Sequence, residues 1–152
     1  MTSSPNQHLH DSTLAAGRTL LRLVIGFLFA AHGWQKYFEW TIAGTQGAFA
    51  EMGIPAASLA APAVATLELA GGIALMLGLL TRPVAALLAL DMLGALVLVH
   101  ATGGVFVANG GYELVLALGS ASAAIALLGA GPLSLDRLLF ARRRSVTASA
   151  AA

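Results

Sequence analysis

The chain of 152 residues contains no cysteine. That excludes disulfides, thiolate metal sites, iron–sulfur clusters and an internal thiol–disulfide couple. Any redox chemistry would place its electrons on a bound small molecule or on a partner. Charge is also scarce. Asp, Glu, Lys and Arg make up 10% of the chain, against about 25% in a soluble domain. The net charge is +1, so there is no basic excess and no motif that speaks for nucleic acid. What the chain has in quantity is apolar: 58% of residues are hydrophobic and the mean hydropathy is +0.83. Most of such a surface cannot face water, so the solvent for this chain is a lipid bilayer.

Four segments approach the length of about 20 mainly apolar residues that a spanning helix needs. The first runs from Leu14 or Thr19 to His32, the second from Leu59 to Leu80, the third from Pro83 to Ala101 and the fourth from Tyr112 to Leu128. Backbone groups in lipid must be bonded internally, and these segments are too long and continuous for barrel strands. The expected fold is therefore all-α, a four-helix transmembrane bundle over residues 14–140. A polar tail over 1–13, expected to be disordered, precedes it, and a basic, flexible tail over 141–152 follows. The tail carries no basic region ahead of the first apolar run, so that run reads as a retained membrane helix. The connections are a long loop over 33–58, a tight turn at Thr81-Arg82 and a Gly-rich, uncharged loop over 102–111.

Seven of the eight Lys and Arg residues fall on one side of this layout: Arg18, Arg22, Arg82, Arg137, Arg142, Arg143 and Arg144. Lys36 stands alone on the other. Positive charge marks the cytoplasmic side, so both termini are expected in the cytoplasm. Glu68-Leu69 and Glu113-Leu114, each with a glycine downstream, hint weakly at an internal repeat. Small residues recur at Gly71, Gly72, Gly78, Gly94, Ala95 and Gly119, where they would let helices approach closely.

Ionisable groups at membrane depth cost roughly 2.5–3.5 kcal/mol each, so those that are kept point to a use. Arg18 and Arg22 read first as snorkelling anchors, with Arg22 deep enough to pair with an acid from another helix. Asp91 lies nine residues past Arg82, about 13–14 Å into the membrane. Glu68 lies in the outer third if its helix starts at Pro62, and nearer the middle if it starts at Ala57. His32, Lys36, His100 and Glu113 are expected near the outer face, amid the interfacial aromatics Trp34, Tyr37, Phe38 and Trp40.

Three chemistries fit such a set. A quinone headgroup needs an apolar pocket with hydrogen-bonding groups and a proton-exchanging residue, which a histidine and a carboxylate supply. Haem b would need His32 and His100 as facing ligands and is the less favoured option. A transport path would string carboxylates through the bundle. Asp91 and His100, nine residues apart, are expected on opposite faces of an ideal helix, which weakens a continuous wire. Zinc is disfavoured, because only His8 and His10 lie close together, in the polar tail.

RLVIGFLFAAHGWQK at 22–36, MGIP at 52–55, ELAGGIALMLGLLTRPVAALLALDM at 68–92, GGYEL at 110–114 and GAGPLSLD at 129–136 occur in an order and spacing that resembles the DoxX family of small four-helix membrane proteins. The resemblance covers nearly all of residues 18–138. It implies a bacterial or archaeal plasma-membrane protein with redox associations. Relatives include subunits tied to thiosulfate:quinone oxidoreduction, proteins linked to quinone tolerance, and a mycobacterial member associated with a superoxide dismutase and a sulfurtransferase. By motif position, Arg22, Gly26, His32, Gly33, Lys36, Glu68, Gly71, Gly72, Gly78, Thr81, Arg82 and Glu113 fall on family blocks and are candidates. Pro132 and Leu133 stand where the resemblance leads one to expect a Gly-Arg-like pair.

Together these readings make the chain a redox-associated membrane subunit that binds a quinone or a similar lipid-soluble electron carrier. His32, Lys36, Glu68, His100 and Glu113 would shape the headgroup pocket, with Arg22 and Asp91 in support. No tightly bound cofactor and no metal are expected. Partners would be the lipid bilayer and a soluble or membrane redox protein, and an oligomer is compatible. The alternatives are a scaffold anchoring soluble oxidative-stress enzymes through Arg142–Arg144, or a small proton-coupled permease.

Overall fold

A computed structural model describes the backbone of residues 5–139 and the side chains of residues 11–139. Residues 1–4 and the expected basic tail, with Arg142, Arg143 and Arg144, lie outside the described residues. Among the described residues the chain is helical throughout, with no strand. Helix α1 spans Pro5–Trp34, α2 Thr41–Glu51, α3 Ala57–Leu77, α4 Thr81–Ala95 and α5 Glu113–Leu128. Two π-turns, Gln35–Glu39 and Leu96–His100, extend α1 and α4, and a 3-10 turn covers Val107–Asn109. Three stretches are long and apolar enough to cross a membrane: Asp11–Glu39, Ala57–Leu77 and Thr81–His100. Helix α5 is apolar but has only 16 residues.

Several boundaries differ from the sequence expectation. The 1–13 segment, expected to be disordered, is helical from Pro5. The 33–58 segment, expected as a loop, is mostly helix: α1 continues past Gly33, and α2 forms after a bend at Trp40. Thr41, at φ 61°, starts α2, and its hydroxyl accepts from the Gly44 N–H at 3.2 Å. Helix α3 begins at Ala57 and runs through Pro62, so Glu68 sits at the eleventh step of a helix of 21 residues, near mid-membrane.

The bundle is built as two closely packed pairs, α1 with α3 and α4 with α5, with looser contact between the pairs. Small residues explain the first pair. A side chain at Gly72 would collide with the backbone of Gly26 and Ala30, one at Gly33 with the backbone of Leu69, and one at Gly26 with Gly72 and Met76. In lipid, where apolar burial drives little association, such backbone approach supplies the packing. Ile25, Phe29, Leu75, Leu88, Met92, Leu118 and Ile125 fill the space between the pairs.

At the end carrying the arginines, α3 stops at Gly78 (φ 68°) and α4 starts at Thr81, so the turn is 78–80 and Thr81-Arg82 belong to the helix. The 129–136 segment folds over this turn. Asp136 accepts from the N–H groups of Leu80 (2.7 Å) and Thr81 (2.9 Å), and its own N–H donates to Gly78 O (2.9 Å). It thus caps α4 from 55 residues away. Asp136→Ala is expected to lower stability by about 1 kcal/mol, as the loss of a helix cap does. Unfolding by increasing SDS in mixed micelles measures it.

Candidate functional site

In the half of the bundle away from the arginines, the two helix pairs part around a cavity of about 570 Å³. Its wall is largely apolar: Phe29 from α1, Phe49 from α2, Met52, Ile54 and Pro55 from the connection, Val64 from α3, Leu98 from the second π-turn and Leu118 from α5. Into this wall are set His32, Gln35, Lys36, Glu68, Asp91 and His100. A pocket of this size with a few polar groups in an apolar lining is the usual form of a small-molecule site.

In this wall Lys36 Nζ donates to Glu68 Oε2 at 2.5 Å, with side chains only 12% and 5% exposed. The pair joins the end of α1 to the middle of α3. The geometry depends on the first π-turn, which carries Lys36 beyond His32 without ending the helical path. Thr45, fully buried in α2, donates to Lys36 O (3.0 Å) and Thr41 O (2.9 Å) and so fastens that turn from outside. Tyr37 OH and Thr66 Oγ1, 2.6 Å apart, add a second tie between α1 and α3.

The second π-turn reverses one expectation. On a regular helix, nine residues rotate the face by about 180°. A π-turn accommodates one additional residue, which sets the following face back by about 100° and leaves Asp91 and His100 about 80° apart. Both residues line the same cavity. His100 Nδ1 lies 2.8 Å from Gly110 O. A carbonyl only accepts, so Nδ1 carries the hydrogen. Asp91 Oδ2 is buried and has no hydrogen-bond partner among the described residues.

The structure therefore gathers His32, Lys36, Glu68 and His100, and places Asp91 with them on the cavity wall rather than behind it. Two candidates lie elsewhere. Glu113 is not on the cavity: its Oε1 accepts from Val107 N at 2.7 Å and braces the 102–111 loop. Arg22 sits in the arginine-bearing half, buried, where Nη2 donates to Leu133 O at 2.6 Å and the guanidinium lies against Gly78. The acid acting on it electrostatically is Asp136, from the 129–136 segment rather than from a cavity helix. Sequence reasoning missed the wall supplied by Trp40, Phe49, Met52, Ile54 and Pro55. The one available signal was the apolar spacing of 49–54 ahead of Pro55, inside a segment expected to be a loop. No cluster of three or more His, Asp or Glu residues able to hold a metal occurs among the described residues.

Comparison with known proteins agrees with this architecture. The DoxX family profile matches residues 17–101. The chain is 34% identical over 140 residues to the Bacillus subtilis protein named "Putative oxidoreductase CatD", covering 92% of this chain and 99% of that one. It is 33% identical to the inner membrane protein YqjF of Escherichia coli, over 81% of this chain and 92% of the relative. It is 41% identical to an uncharacterized membrane protein of Mycobacterium tuberculosis, over 51% of this chain and 47% of the relative. No solved structure matches the chain significantly.

Proposed function

Because the chain belongs to the DoxX family, we propose that this membrane protein is a redox-associated subunit that binds a quinone or a similar lipid-soluble electron carrier in the cavity between its helix pairs. The observation that carries the reading is the buried Lys36–Glu68 pair, set with His32, Gln35, Asp91 and His100 in a largely apolar chamber at membrane depth. A flat ring fits an aliphatic and aromatic wall, and its oxygens need hydrogen-bonding partners that water cannot supply there. The name given to the Bacillus relative, "Putative oxidoreductase CatD", supports the same class. Arg18, Arg22 and Arg82 lie around the 78–82 and 129–133 segments, and Lys36 lies in the other half. By the positive-inside rule, both termini are cytoplasmic in a bacterial or archaeal plasma membrane, and the cavity belongs to the outer half.

Native mass spectrometry of protein released gently from its own membrane is the direct test. A stoichiometric quinone is the expected result, reduced at least tenfold in Glu68→Gln and unchanged in Glu113→Gln, because only Glu68 touches the cavity. A retained haem would overturn the reading in favour of His32 and His100 as ligands. Equal quinone retention in wild type and Glu68→Gln would remove the cavity from it.

A further inference from the structure

The polar groups of the cavity are unequally provided for, and the imbalance bears on which redox form of a ring it holds. Lys36 is the one cation on the wall and its partner is Glu68. Asp91 is a second carboxylate on that wall, with Oδ2 buried and no donor reaching it. His100 spends its Nδ1–H on Gly110 O, so that donor is not offered to the chamber. His32, Gln35 and Trp40 add donors elsewhere on the wall, so the shortage is local to Asp91. One ammonium faces two carboxylates.

We propose that the cavity is built for the reduced, hydroxyl-bearing form of its aromatic ligand, a quinol, with Asp91 receiving one ring hydroxyl and the Lys36–Glu68 pair meeting the other. This deepens the function proposed above and rests on it. A quinone carbonyl only accepts hydrogen bonds, whereas a hydroxyl both donates and accepts. At the Lys36 end either form can take an N–H, since the ammonium has three and Glu68 Oε2 takes one. At the Asp91 end only the hydroxyl brings a donor. An oxidised ring there would set a carbonyl oxygen against the carboxylate with no hydrogen to share between them, an arrangement with a desolvation penalty. Specificity arises when a site's buried polar group is satisfied by one ligand and stranded by its analogue. Glu68 stands near the middle of α3 and Asp91 near the middle of the Thr81–His100 stretch, too deep for water to substitute readily for a missing donor.

The experiment compares three probes built on one tetramethylated ring: tetramethylhydroquinone, its bulkier dimethyl ether and tetramethylbenzoquinone. Each is titrated by equilibrium dialysis under reducing or oxidising conditions into the full-length protein in nanodiscs, with empty nanodiscs as the blank. The expected result is at least tenfold tighter binding of the hydroquinone than of either other probe. A tenfold preference corresponds to a rise of about 30 mV in the potential of the bound two-electron couple, an independent readout. Asp91→Asn, whose amide can donate to a carbonyl, is expected to reduce the preference to threefold or less. Should that variant not fold, Asp91→Ser provides the same comparison, and the hydroquinone and quinone, which share one outline, test the donor requirement on wild type alone. Equal binding of hydroquinone and quinone by wild type would overturn this inference and leave the cavity's assignment intact. An undiminished preference in the folded Asp91→Asn protein would do the same. If no probe bound above the blank, the ring-binding function itself would fall.

Discussion

Lys36→Met is expected to destabilise the bundle by about 3–5 kcal/mol, because removing one member of a buried ion pair leaves its partner's charge uncompensated. Glu68 cannot escape. It is 5% exposed as a side chain, sits at mid-helix in α3, and its short stem does not reach an interface. The reverse change, Glu68→Leu, is expected to cost less, since a lysine at the end of α1 can extend its stem toward the headgroups. The double variant Lys36→Met with Glu68→Leu is expected to regain most of the stability, since replacing a buried pair by apolar residues of similar size is often neutral. It would nonetheless bind no ring. SDS-driven unfolding of the three variants gives the cycle, and ligand retention separates the pair's structural role from its binding role. A single-variant cost below about 1 kcal/mol would mean that water reaches the pair freely, against the burial on which the site rests.

Gly72→Val is expected to abolish the α1–α3 pair. A Cβ at this position meets backbone atoms of Ala30 and Gly26, and backbone cannot swing aside as a flexible side chain can. Ordinary overpacking costs about 1–3 kcal/mol. Here the helices must separate along a seam that also includes Gly26 and Gly33, so the expected outcome is loss of folded protein from the membrane fraction. Gly94→Val is the control: no atom lies within 4 Å of a Cβ there, and its accumulation is expected to match wild type. Gly94 borders the cavity, so the control applies to folding and not to binding. Equal accumulation of the two variants would show that the α1–α3 seam is not a close backbone contact.

The apolar segments, the helical class and the grouping of His32, Lys36, Glu68 and His100 toward one half were legible in the sequence, because hydropathy and the cost of buried charge act locally. The rest required the third dimension. Residues 33–58 read as a loop because glycines, aromatics and Pro55 interrupt the apolar pattern, yet α2 forms there and closes one wall of the cavity. Asp91 was legible as deep but not as sharing the cavity wall with His100, because the π-turn at Leu96–His100 resets the rotation on which face-counting depends. Glu113 carries the same Glu-Leu pattern as Glu68, but it opens α5 instead of sitting in mid-helix and is spent on a loop N–H. Arg22 read first as a snorkelling anchor, with an acid from another helix as the alternative partner, but it is buried and donates to a backbone carbonyl more than a hundred residues later.

The shortness of α5 has a consequence for the surrounding lipid. Its 16 residues rise about 24 Å, roughly 6 Å less than a hydrocarbon core of about 30 Å. On that flank the hydrocarbon thickness is not matched by helix alone. The uncharged 102–111 segment, with Val105, Phe106 and Val107 exposed, is suited to take up the difference. Its backbone is bonded within itself, through Asn109 N to Phe106 O, Gly110 N to Val107 O, Tyr112 N to Gly104 O and Glu113 N to Val105 O. Glu113 Oε1 covers the Val107 N–H that would otherwise be bare. The molecule therefore presents a full-length wall along α3 and a shorter one along α5, and a bilayer around it has to be thinner on one side or admit a folded loop to acyl-chain depth. Hydrophobic mismatch of this lopsided kind gives the protein a preferred orientation toward neighbours, with its thin flank drawn to other thin flanks or to the thinner membrane regions of the cell.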